Sequence, residues 1–104
     1  MNAEVKELWI AALRSGEFEQ GRGQLCWRLA EGTVYCCLGV LELLAERQGV
    51  IPVFDGSRAY LSPDVKAWAG LTETNPVVNG ESLGWLNDQG NGFQEIARRI
   101  EKYL

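Results

Sequence analysis

The sequence predicts an α+β domain: a central apolar helix, with N- and C-terminal helices, packed on a small antiparallel β-hairpin sheet. Three observations predict it. Apolar residues recur at helical spacing near both ends, as Val5, Trp9 and Leu13, and as Phe93, Ile96, Ala97 and Ile100. Two strand-like runs lie between them around a short glycine-containing link. Residues 37–48 are apolar on almost every side, as a helix at the centre of a fold should be. The 104 residues suit a single domain, 1–104, with neither an internal repeat nor a linker.

The opening helix is expected over residues 2–15. Leu8 and Ala12 widen its apolar stripe, Glu4, Lys6 and Glu7 lie off it, and Ser15-Gly16 ends it. Residues 17–24 are polar and rich in glycine, the composition of a loop. Residues 25–29 and 33–36 then pair as a hairpin around Ala30-Glu31-Gly32. In the central helix, 37–48, Gly39, Glu42 and Glu46 form one narrow stripe. Glycine costs about 1 kcal/mol against alanine inside a helix, so Gly39 signals a close backbone approach. Gly49 supplies the stop.

A second hairpin is expected from residues 51–54 and 58–61 around Asp55-Gly56-Ser57. Ser62-Pro63-Asp64 begins a short helix that ends at Trp68-Ala69-Gly70. Residues 71–86 hold turn residues and one strand at Val77-Val78. Asn91 caps the last helix, with Gln94 three residues on, and that helix runs to about Tyr103. Arg98, Arg99 and Lys102 lie toward its C-terminal end, where the helix dipole favours cations.

Charge and composition exclude several classes of function. Ten Lys and Arg against fourteen Asp and Glu give a net charge of −4, which disfavours DNA or RNA duplexes as partners. No apolar run approaches the ~20 residues of a membrane helix, and the first residues lack the pattern of a signal peptide. The chain has no histidine, which removes Ser-His-Asp and Cys-His catalysis and every His-containing zinc site. Cys26, Cys36 and Cys37 include an adjacent pair and no CxxC spacing. They suit a reducing compartment and imply neither metal nor cofactor.

Several segments are recognisable together. They are Trp9 with Leu13-Arg14-Ser15-Gly16, Gln20-Gly21-x-Gly23, Tyr35-Cys36-Cys37-Leu38-Gly39-Val40-Leu41, Trp68-Ala69-Gly70-Leu71 followed by Asn75-Pro76, and the run of residues 86–97 beginning Leu86-Asn87-Asp88. In this order the chain resembles a family of small accessory proteins carried by tailed bacteriophages and prophages. The resemblance covers nearly the whole chain. It implies expression in the cytoplasm of an infected bacterium and action on host machinery or on a host immune signal. It supplies no catalytic residues.

The densest candidate site lies between Arg14 and Arg28. Arg14, Arg22 and Arg28 offer guanidinium groups to phosphate. Gly21 and Gly23 allow backbone N–H groups near an anion, Gln20 and Gln24 can read a base or ribose, and Trp27 can stack. The same residues also suit an ordinary surface loop beside a hairpin. Asn87 and Asp88, in the turn before the last helix, can present amide and carboxylate groups to a ligand, or merely build turns and a cap. Cys36 and Cys37 sit at a helix start, where a thiol can be activated, yet buried cysteine usually packs as a small hydrophobe. Trp9 and Trp68 are expected in the core, Trp27 and Trp85 nearer the surface.

These features lead to the expectation of a non-enzymatic, homo-oligomeric protein that sequesters a nucleotide immune signal. Arg22, Gln24, Trp27, Arg28, Asn87 and Asp88 would carry the ligand. The alternative is a protein-binding inhibitor of a host defence or metabolic enzyme. A nucleotide hydrolase using Asp88 is a third class, weakened by the lack of histidine and of an evident carboxylate partner.

Overall fold

A computed structural model describes residues 1–104. Helix α1 spans Ala3–Arg14 and starts where the Asn2 side chain accepts from the Val5 N–H at 3.0 Å. Its buried face carries Val5, Trp9, Ile10 and Leu13, the predicted stripe with Ile10 added. Ser15 and Gly16 follow, with Gly16 in the left-handed region at φ 77°. Strand β1 (Glu19–Gln20) lies parallel to β3 (Gly32–Tyr35), and β2 (Cys26–Leu29) pairs antiparallel with β3, giving the order β1-β3-β2. The register sets Cys26 opposite Tyr35 and Trp27 opposite Val34. The two-residue β1 carries no pattern that its sequence could announce.

Helix α2 (Cys37–Arg47) is the predicted central helix, packed against α1, β3 and two later helices. The Trp9 indole N–H donates to the Cys37 carbonyl at 3.0 Å and ties α1 to its start. A Cβ at Gly39 would overlap the Leu25 carbonyl, so glycine permits this approach of hairpin to helix. The stripe with Gly39 does not face solvent at Glu42, which is 1% exposed. Its carboxylate accepts from the N–H and hydroxyl of Ser62. Ser62 precedes α3 (Pro63–Ala69) as expected, but its hydroxyl serves Glu42 instead of capping the helix.

Residues 51–61 do not form the second hairpin. Pro52 lacks an N–H for a ladder. Asp55 accepts from the Ser57 N–H at 3.0 Å and from its hydroxyl at 2.6 Å, closing a local turn. The Gly56 and Arg58 carbonyls accept from Cys26 and Leu25, so this segment binds the edge of the first hairpin. Ile51, Phe54 and Leu61 point inward as anchors.

Strands β4 (Val77–Val78) and β5 (Glu81–Ser82) form a small antiparallel pair, of which β4 was expected. Ser82 then caps a six-residue helix, α4 (Leu83–Asp88), that the turn-rich composition concealed. Helix α5 (Phe93–Tyr103) packs against α1 and buries Ile96, Ala97 and Ile100. Gly92 occupies its cap position; the Asn91 side chain turns back to donate to the Leu86 carbonyl at 2.8 Å. Trp9 is fully buried, whereas Trp68 is only half-buried at the edge of the core.

Candidate functional site

The loop after β1 is pinned to α4 through one side chain. Asn87 is 0% exposed. Its Oδ1 accepts from the Cys37 N–H at 3.1 Å and from Gln20 Nε2 at 2.8 Å. Its Nδ2 donates to the Gly21 carbonyl at 2.8 Å and to Asp88 Oδ1 at 3.3 Å. Asn87 therefore joins α4, α2 and the loop, and its amide has no face left for a ligand. Gln20 is used in the same way, with Nε2 also donating to the Asn91 carbonyl at 2.8 Å. These two residues build the site from below.

Above them lies a cleft of about 90 Å³ lined by Gly23, Gln24, Cys36, Ala59, Tyr60, Gly84 and Asp88. Gln24 and Asp88, two of the sequence candidates, meet here. Asp88 Oδ1 accepts from the Gly23 N–H at 3.1 Å, leaving Oδ2 without a protein partner. Gln24 Nε2 donates to the Cys26 carbonyl at 2.8 Å, which leaves its Oε1 as an acceptor. Tyr60 is 51% exposed at the cleft, so its ring can still cover a flat group. The cleft thus holds free acceptors on Asp88 and Gln24 together with the Cys36 thiol and Tyr60.

The guanidinium groups do not converge on one point. Arg14 pairs with Glu101 at 3.2 Å, on the α1–α5 side. Arg22 has no carboxylate within ion-pair distance, and its terminal nitrogen lies over Gly90, just past the end of α4. The Trp27 indole N–H donates to the Arg22 carbonyl at 2.7 Å, and the ring remains 44% exposed. Arg28 follows Trp27 on β2 and so points to the other face of the hairpin. There it acts on Asp55, whose carboxyl is held below its ordinary value first by Ser57 and then by the charges of Arg58 and Arg28. Gln24 and Asp88 line the cleft; Arg22 reaches over Gly90 outside its lining, Trp27 binds the Arg22 carbonyl, Arg28 is turned away, and Asn87 lies beneath.

Sequence reasoning missed Tyr60 and Gly84. No local signal marks either, because long-range bonds place both. The Leu61 N–H donates to the Thr74 carbonyl at 3.0 Å, and the Gly84 N–H to Asn75 Oδ1 at 2.9 Å.

This architecture and site span the same residues as one family model, described as a domain of unknown function, DUF8296, which matches residues 1–104. The chain belongs to DUF8296. No curated protein and no solved structure matches this DUF8296 chain. No helix is long and apolar enough to cross a membrane.

Thiol chemistry in the DUF8296 fold is governed by burial. Cys36 Sγ accepts from the Gly39 N–H at 3.4 Å as the cap of α2. Burial nevertheless pushes the Cys36 thiol up to about 11, outweighing the N–H groups of Gly39 and Leu38. Burial likewise holds Cys37 well above its ordinary value. Both groups are neutral at pH 7. The unfolded chain sheds these protons near the ordinary value of 9.0, before the folded chain does. The contribution of Cys36 is therefore complete below that pH and is lost as pH rises toward about 11. Each pH unit inside this window should remove at most about 1.4 kcal/mol through Cys36. Urea unfolding at pH 7, 9 and 10.5 checks this, and a midpoint that does not fall above pH 9 would contradict it.

Proposed function

We propose that this chain is a non-enzymatic accessory protein of a tailed phage or prophage that binds and sequesters a nucleotide-derived immune signal in the host cytoplasm. The observation that carries the reading is the Gln24–Asp88 cleft, whose lining residue Gly23 directly follows Arg22, a guanidinium with no carboxylate partner. A base edge takes the cleft, Tyr60 covers its face, and phosphate lies outward at Arg22. The cleft is small against the ~300–1,000 Å³ of sites that engulf a whole ligand. A second copy of the chain therefore closes over the exposed part of the nucleotide, which makes the protein a homo-oligomer. Binding without turnover suits the site. The Cys36 thiol is protonated, no histidine exists to act as base, and Asp88 has no carboxylate partner in the cleft.

Calorimetric titration with a panel of cyclic nucleotides and ADP-ribose derivatives tests the reading. At least one should bind, and be recovered unchanged after long incubation. Arg22→Ala should weaken it about tenfold, the value of roughly one charge-assisted contact. Absence of heat with every member of the panel, at high protein concentration, would remove the reading.

A second reading rests on a different observation. Trp27, Leu29 and Trp85 are exposed to 44%, 51% and 52%, and indole is enriched where proteins dock. On that reading the chain inhibits a host defence or metabolic enzyme. Stoichiometric recovery of one partner from bacterial lysate would favour it, and an empty bait would argue against it.

A further inference from the structure

We infer that Asn79 is a modification site, at which the folded protein deamidates spontaneously with water as the only co-reactant. Of the five asparagines, Asn79 and Asn91 precede glycine, whose missing side chain leaves its main-chain nitrogen unhindered. Asn75 precedes proline, which has no N–H to give up. The fold separates the two Asn-Gly pairs. Asn79 and Gly80 are exposed at the two-residue turn between β4 and β5, both at positive φ, 52° and 86°. No main-chain hydrogen bond reaches the peptide group that joins them. The ladder flanking the turn has just two pairs, Val77–Ser82 and Val78–Glu81, and so short a hairpin opens readily. At Asn91 the side-chain amide donates to the Leu86 carbonyl at 2.8 Å, and the carbonyl of the Asn91–Gly92 peptide accepts from Gln20 at 2.8 Å. That peptide cannot turn toward its own side chain until both bonds break.

The chemistry balances without an oxidant or reductant. The Gly80 nitrogen gives its proton to water or hydroxide and attacks Asn79 Cγ. An N–Cγ bond forms and the Cγ–Nδ2 bond breaks. The departing amide nitrogen takes up a proton and leaves as ammonia, which closes a succinimide ring. Water then adds to one ring carbonyl. Cleavage of the N–Cγ bond gives aspartate. Cleavage of the bond from nitrogen to the main-chain carbonyl carbon gives isoaspartate, with the chain routed through Cγ. Either product sets a carboxylate two residues from Glu81, which pairs with Arg99 at 3.3 Å. Isoaspartate also lengthens by one methylene the turn that joins the fully buried Val78 to Glu81.

The test incubates the whole chain at pH 7 and at pH 8, in buffer and in parallel in unfolding urea, and follows both Asn-Gly peptides by mass spectrometry. Methyl transfer from S-adenosylmethionine by a protein isoaspartate methyltransferase reports the isoaspartyl fraction. In the folded protein Asn79 should be converted at least about tenfold faster than Asn91, since attack at Asn91 must first break two hydrogen bonds. Conversion of Asn79 should be faster at pH 8, because loss of the Gly80 proton accompanies attack. In urea the ratio of the two rates should fall toward unity, because the two pairs are alike once the fold is gone. An Asn79 that stays intact in the folded protein, equal rates at the two sites, or faster conversion of Asn91 would overturn the inference.

Discussion

Gly39→Ala should destabilise the protein by more than about 3 kcal/mol, although alanine is the better helix former by about 1 kcal/mol. The added methyl would occupy the position of the Leu25 carbonyl oxygen. That carbonyl cannot easily retreat, because it accepts from the Cys36 N–H at 3.0 Å where the sheet meets α2. Relief requires the hairpin to lift off the helix, which would expose Leu25 and Cys26, now 1% and 2% exposed. Such a loss is a large share of the ~5–15 kcal/mol that holds a domain together. Urea denaturation measures it. A neutral or stabilised variant would show that the close approach of Leu25 to α2 is not a feature of the native state.

Asn87→Ala should lose about 3–5 kcal/mol, through removal of partners from the buried Cys37 N–H and from two part-buried groups, on Gly21 and Gln20. The Cys37 N–H and the Gly21 carbonyl would each lose their hydrogen bond to Asn87. Gln20 would keep only the Asn91 carbonyl. The loop of residues 21–24 would then come away from α4, taking Gly23 and Gln24 from the cleft. Asn87→Asp separates the two halves of the amide. It retains an acceptor for Cys37 and Gln20, but sets a carboxylate against the Gly21 carbonyl and beside Asp88. It should be destabilised as well, and more strongly as pH rises above the carboxylate range. Thermal unfolding of the two variants checks the order. Wild-type stability in Asn87→Ala would refute the structural role given to this side chain.

How much of this was legible in the sequence depended on how local each cause is. Helices α1, α2 and α5 were legible because their apolar spacing is a property of consecutive residues. The close approach at Gly39 was legible because a glycine inside an otherwise strong helix calls for a reason. The segment 51–61 was not. Its two short apolar runs imitate strands, and its conformation is set by bonds to Leu25 and Cys26 far away in the chain. Helix α4 was concealed because six residues with two polar ones at the end give no periodicity to read. Glu42 looked like part of a polar stripe, since its partner Ser62 lies twenty residues on.

The candidate site divided in the same way. Gln24 and Asp88 were named from their chemistry, and the fold brings them together. Asn87 was named for equally good chemistry, and the fold uses it internally. Composition does not tell a polar group that faces a ligand from one that faces the backbone. Arg28 was grouped with Trp27 by adjacency, but neighbours on a strand point to opposite faces.

The measurement that bears most directly on the cleft as the binding site is amide chemical-shift mapping of isotope-labelled protein during titration with a panel of cyclic nucleotides. The account predicts that the largest changes fall at Gly23, Gln24, Tyr60, Gly84 and Asp88. Changes concentrated instead at the groove formed by Glu4, Leu8, Gln48 and Trp68, or an unperturbed spectrum, would contradict it.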